Sequence, residues 1–203
     1  MTLLFARLST SAIALVLAGG LALAEESGPS IGTDVPAEAA EPSRETRLSS
    51  LFDTLKTETD ANTASEIEDE ILRVWLDSGS DTVDLLMDWT LQAMERKQYP
   101  RALDFLDRII LMEPAYVEGW NKRATVHFLV DDYGKALADI ARVLELEPRH
   151  FGALSGLGII FRSIGENERA KAAFRAALEL DPHLENVREE LKTLESETGG
   201  RET

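Results

Sequence analysis

Three histidines, thirty-seven carboxylates and one glycine-rich run are the parts of this chain whose residue types could do chemistry. His127, His150 and His183 would be metal ligands or general bases only if helix or strand geometry held them close together. Their spacing along the repeats keeps them apart instead, so no metal centre is expected. Acid–base hydrolysis by paired carboxylates would require burial that drives two pKa values apart, and no cluster in the sequence singles out such a pair. Gly152-Ala-Leu-Ser-Gly156-Leu-Gly158 has the density of a phosphate-cradling loop, but it lies inside an apolar helical stretch, where small residues serve close helix packing. HExxH, GxSxG, GxxxxGK[ST] and GxGxxG runs are all absent from the 203 residues. The expectation is a protein with no catalytic residue and no cofactor.

Composition narrows the partners. With 21 basic and 37 acidic residues the chain carries a net charge of −16, which excludes the basic stripe that nucleic acid or anionic lipid would need. There is no cysteine, so disulfides, thiolate metal sites and thiol nucleophiles are excluded.

The elements that must position any site follow from a period. Pro114, Pro148 and Pro182 stand 34 residues apart, each after an acid (Glu113, Glu147, Asp181). In register with them recur Ala102, Ala136 and Ala170, then Tyr99, Tyr133 and Asn167, then Ile109, Val143 and Ala177. In the second half of the first window Ala102, Leu103, Leu106, Ile109 and Ile110 share one helical face. Proline withdraws an amide donor and disfavours helix in the residue before it, so each window ends a helix there. A strict period of this length means stacked helix pairs rather than one globular core. On these residues, with Trp120, Ala124, Tyr133, Ala136 and Pro148 in the second window and Leu157-Gly158, Phe161, Ala170 and Phe174 in the third, the chain resembles the tetratricopeptide repeat family. The first window departs most, with Trp89-Thr90 where Leu-Gly is usual.

The fold class expected is all-α, a tetratricopeptide α-solenoid of antiparallel helix pairs. The organisation read along the chain begins with a secretory signal at 1–24: Arg7 precedes an apolar run from Ala12 to Leu23, and Ala22-Leu23-Ala24 offers small residues for cleavage after Ala24. Its apolar run is shorter than the ~20 residues needed to span a bilayer, so no membrane insertion is expected once it is removed, and the location expected is a bacterial periplasm. A Pro-containing acidic leader, 25–43, has too few large apolar side chains to fold. A helical hairpin, 44–82, is read as a degenerate zeroth repeat capping the array, with an unrelated N-terminal hairpin as the alternative; Leu48, Leu51, Phe52 and Leu55 lie on its first face and Ile67, Ile71, Val74 and Trp75 on its second. Thr63-Ala-Ser-Glu66 is taken as the capping box that opens its second helix. Repeats at 83–116, 117–150 and 151–184, a capping helix at 185–198 and a polar tail at 199–203 complete the chain. His127 is expected in a core, and His150 and His183 are expected to face solvent or cap the next helix.

What the resemblance implies about function is a concave face lined by the first helix of each pair, holding a peptide or a partner helix. Carried onto this chain, that face comprises Met87, Leu91, Met94 and Glu95, then Glu118, Asn121, Thr125, Phe128 and Leu129, then Ser155, Ile159, Arg162 and Ser163. The partner-binding residues expected are Met87, Leu91, Met94, Asn121, Thr125, Phe128, Ile159 and Arg162, with Asn121 offering a donor and an acceptor to a partner backbone. The Lys/Asn clamp by which some relatives hold a C-terminal carboxylate is replaced by Met87, Leu91, Lys122, Gly152 and Gly156, so chaperone-tail binding is not expected. A protein or peptide partner is thus the first expectation. Self-assembly of the array into a homo-oligomer is the alternative, which exposed Leu48 and Trp75 would favour.

Overall fold

The computed structural model describes residues 43–199, all within one compact unit, Glu41–Thr203. The expected signal, the leader up to Pro42 and the tail beyond Gly199 lie outside the described residues. Among those described the secondary structure is entirely helical: α1 (Arg44–Leu55), α2 (Ala61–Leu76), α3 (Asp81–Glu95), α4 (Tyr99–Met112), α5 (Val117–Leu129), α6 (Tyr133–Leu146), α7 (Phe151–Ser163), α8 (Asn167–Leu180) and α9 (Glu185–Gly199). None of these helices is long and apolar enough to cross a membrane.

The 34-residue period is visible in the backbone itself. Within each pair the first helix ends in a left-handed residue at the same register position, Lys97 (φ 55), Asp131 (φ 60) and Gly165 (φ 81). The amide after each reaches back to a carbonyl five residues earlier: Gln98 to Ala93, Asp132 to His127 and Glu166 to Phe161, all at 2.8 Å. This closure satisfies carbonyls that the helix end would otherwise orphan. Between pairs, Glu113, Glu147 and Asp181 adopt extended ψ values of 77°, 92° and 97°, the conformation a following proline imposes.

Packing inside the pairs follows the small-residue positions. Ala102, Ala136 and Ala170 are fully buried at the crossings α3/α4, α5/α6 and α7/α8. Gly158 lies against the ring of buried Phe174, and a β-carbon there would stand 2.3 Å from it. Close helix packing is therefore the use of that glycine. Between the first two of these pairs a polar junction adds to the apolar contact of Val126 with Leu106 and Ile109. Arg123 of α5 donates to Asp139 of α6 at 2.7 and 2.8 Å and to Asp107 of α4 at 2.8 Å.

The N-terminal hairpin does not cap the array as a zeroth repeat and fits the alternative of an unrelated hairpin. Its core of Leu48, Phe52, Leu55, Ile71 and Trp75 packs with Phe151, Leu180 and Leu184, residues at the junctions of the later pairs. The hairpin lies along the edge made by the inter-repeat turns and touches the last register position of all three. Tyr116 Oη donates to the carbonyl of Leu76 at 2.9 Å, His150 stacks on Trp75 at 4.1 Å, and Leu184 packs on the hairpin core. Arg149 reaches Glu45 at 3.0 Å and Ser49 at 3.2 Å, with its guanidinium over the ring of Phe52. His183 Nε2 donates to the carbonyl of Glu58 at 3.1 Å. Its second helix also opens earlier than the expected box. Asp60 caps it, accepting from the amides of Asn62 and Thr63, so the helix starts at Ala61. A carboxylate that accepts from two amides is a stronger N-cap than the downstream threonine.

Candidate partner-binding groove

The inner helices α5 and α7 of adjacent pairs approach each other directly, and between them lies a cavity of ≈ 290 Å³. Asn121, Thr125, Phe128 and Leu129 line it from α5, Ile140 forms its base, and Gly152, Ser155, Gly156 and Ile159 line it from α7. Two glycines one turn apart on α7 account for the space, because neither projects a side chain toward α5. A β-carbon at Gly156 would sit 3.6 Å from Ile140 Cδ1, an ordinary contact, so a longer side chain there would extend into the cavity without disturbing the backbone. The walls are largely apolar, and Leu129 and Ile159 are exposed at 45% and 39%. An exposed apolar depression on an acidic surface is the kind of site that partners use.

Of the expected binding residues, Asn121, Thr125, Phe128 and Ile159 converge on this cavity. Leu91 is exposed on α3 but outside its lining, and Met94 is partly buried against the core of the first pair. Met87 is a correction. It is buried in that core with Val83, Leu86, Leu106 and Val126, because a stripe at helical spacing serves a core as readily as a groove. Arg162 is likewise elsewhere, ion-paired with Glu190 of α9.

Glu118 also lies beneath the surface rather than on the expected face. It is almost fully buried and accepts from His150 Nε2 at 3.0 Å, from Asn121 Nδ2 at 3.0 Å and pairs with Lys122 at 3.3 Å. His150 Nδ1 accepts from the Ala153 amide, capping α7, which leaves the ring proton on Nε2 for Glu118. Burial pushes the Glu118 carboxyl up, but the His150 hydrogen bond and the Lys122 ammonium overcome it and hold the value down at about 2. This buried pair fixes α5 to the start of α7 and so sets the width of the groove between them. Asn121 gives one of its two amide protons to Glu118, which leaves the other proton, and an amide oxygen with no partner among the described residues, for a partner backbone. His150 thus caps the following helix, as one of its two expectations held, but it is buried rather than solvent-facing. His127 is buried as expected, and burial is the main cause lowering its pKa.

Sequence reasoning missed the aromatic lid over this pair, Trp75 with Phe52 and Phe151. The only signal was that the last register position, Tyr116, His150 and Leu184, is always a large side chain. Among the described residues, no three His, Asp or Glu side chains are grouped to hold a metal ion.

Comparison with known proteins decides the family. A TPR repeat-containing protein of Rhizobium etli is 43% identical over 157 residues, covering 77% of each chain. The chain belongs to the tetratricopeptide repeat family. The family's sequence profile matches residues 152–184, the third repeat. Among solved structures, the Sgt2 TPR domain from Aspergillus fumigatus is similar at 22% identity and a TM-score of 0.57, over 61% of this chain and 83% of that one. The first TPR of Spaghetti (RPAP3), bound to an HSP90 peptide, is similar at 20% identity and a TM-score of 0.55, over 58% of this chain and 93% of that one. Both likenesses are of fold.

Proposed function

We propose that this tetratricopeptide repeat protein is a non-enzymatic interaction module of the bacterial cell envelope, holding a segment of a partner protein in the groove between α5 and α7. The observation that carries the reading is the cavity whose α7 wall is opened by Gly152 and Gly156. It is apolar, open, and framed by helices that the Glu118–His150 pair and the N-terminal hairpin hold at a set separation. Pre-organisation of this kind lowers the ordering cost of binding. The size suits one large apolar side chain entering between Gly152 and Gly156, with the Asn121 amide oxygen accepting from the partner backbone. The solved neighbour with an HSP90 peptide supports peptide binding as a use of the fold. The residues here differ from a carboxylate clamp, which points to an internal segment rather than a chain end. The envelope location rests on the signal-like first 24 residues. Burial of Leu48 and Trp75 removes the exposed apolar surface on which self-assembly through the hairpin would have depended.

Selection from a random peptide library, with counter-selection on Gly156→Leu, tests the reading. Peptides should converge on a single apolar anchor and be released by the variant. Enrichment that the variant leaves unchanged would remove the groove from consideration.

A further inference from the structure

A second surface lies at the free end of the array. Because the hairpin runs along the turns, no helix among the described residues is stacked on the leading face of α3/α4, and Leu85 and Trp89 are exposed there. The same register position behaves differently one and two periods on. Arg123 is covered by α4 through Asp107, and Leu157 packs in the cluster that contains Ala136 and Val143 of α6. At both internal junctions, then, the occupant of this face is the second helix of the preceding pair. At the free end Trp89 and Phe105 meet at 5.7 Å, Arg101 lies over the Phe105 ring, and a cavity of ≈ 280 Å³ opens between them and Arg96. Gln92 and Gln98 complete its polar rim, and no carboxylate lines it. Neither Arg96 nor Arg101 is ion-paired among the described residues, although acids outnumber bases 37 to 21 in the chain.

From this juxtaposition we infer that the leading face of α3/α4 docks an amphipathic helix of a partner protein, one whose apolar stripe is bordered by carboxylates. The apolar stripe seats on Trp89 and Phe105, and the carboxylates take Arg96 and Arg101 as Asp107 takes Arg123 at the internal junction. Charge decides against a second copy meeting face to face, because that would bring arginine onto arginine. The outer side of a second copy's α9 has the matching acids but no large exposed apolar side chain among the described residues, so it offers nothing to seat on Trp89 and Phe105. This surface is separate from the α5–α7 groove and does not depend on it.

The probe is a synthetic helical peptide of about 18 residues, long enough for five turns, with leucines along one stripe and glutamates on both borders. A matched peptide carries lysines in place of the glutamates. Fluorescence anisotropy with the full chain should show saturable binding of the glutamate peptide, weakened at high salt. The double variant Arg96→Glu/Arg101→Glu, whose side chains are exposed, should weaken it roughly tenfold or more, and Gly156→Leu should not change it. Equal binding of the lysine peptide, full retention by the double variant, or no binding at millimolar protein would each overturn the inference. So would a concentration-dependent dimer in sedimentation that the double variant dissolves, since the face would then belong to a second copy.

Discussion

Replacing Glu118 by glutamine removes one buried charge while keeping the size of the side chain and an acceptor for His150. The carboxyl is held at about 2, against an ordinary 4.5, by the His150 N–H and the Lys122 ammonium working against burial. At ~1.4 kcal/mol per pKa unit, that depression corresponds to roughly 3 kcal/mol of folding stability. The sign follows from the direction of the shift. A carboxyl with a lower pKa folded than unfolded contributes fully above the unfolded value and loses that contribution as pH falls toward the folded one. Urea unfolding of the two proteins across the acid range should therefore show a gap of about 3 kcal/mol at neutral pH, beginning to close below pH ~4.5 and nearly gone at pH ~2. A gap that stays constant with pH, or a variant as stable as the parent at neutral pH, would refute the claim that an ionised Glu118 secures α5 to the start of α7.

Four other substitutions probe the rest of the framework. Trp75→Ala empties the lid between the hairpin and His150 and should cost about 3–5 kcal/mol, seen as a fall of roughly 10 °C or more in thermal unfolding by circular dichroism. Arg123→Ala leaves Asp139 buried beside only His127, at 3.9 Å, and should destabilise by about 3 kcal/mol in chemical unfolding. Gly158→Ala drives a methyl into the Phe174 ring and should cost about 2 kcal/mol net of the better helix propensity, measurable in the same way. Lys97→Gly relieves a left-handed backbone at an exposed helix end and should raise stability by about 0.5–1 kcal/mol; an unchanged or lower midpoint would mean the strain is absorbed elsewhere.

What was legible in the sequence is whatever the period repeats. Pro114, Pro148 and Pro182 mark three extended turns, and Ala102, Ala136 and Ala170 mark three crossings, because each physical requirement recurs every 34 residues and the residues recur with it. Half of the candidate groove followed by register, namely Asn121, Thr125, Phe128 and Ile159. The other half did not. Met87 is core and Arg162 is tied to Glu190, and a single stripe at helical spacing does not say which of two faces it serves. The hairpin was misplaced for a different reason. Trp75 meets His150 and Phe151 some 75 residues away in the chain, and a contact made once has no period to reveal it. The left-handed helix ends were hidden for a third reason, since only Gly165 of the three carries the glycine that announces such a conformation.

The groove itself is tested most directly by a photo-crosslinking residue at Thr125, on the rim of the α5–α7 cavity, introduced into the full chain in its own cells with a control at exposed Glu145. The account predicts a discrete protein adduct from Thr125, absent from Glu145 and lost when Gly156→Leu fills the cavity. Equal labelling from both positions, or an adduct that survives Gly156→Leu, would contradict it.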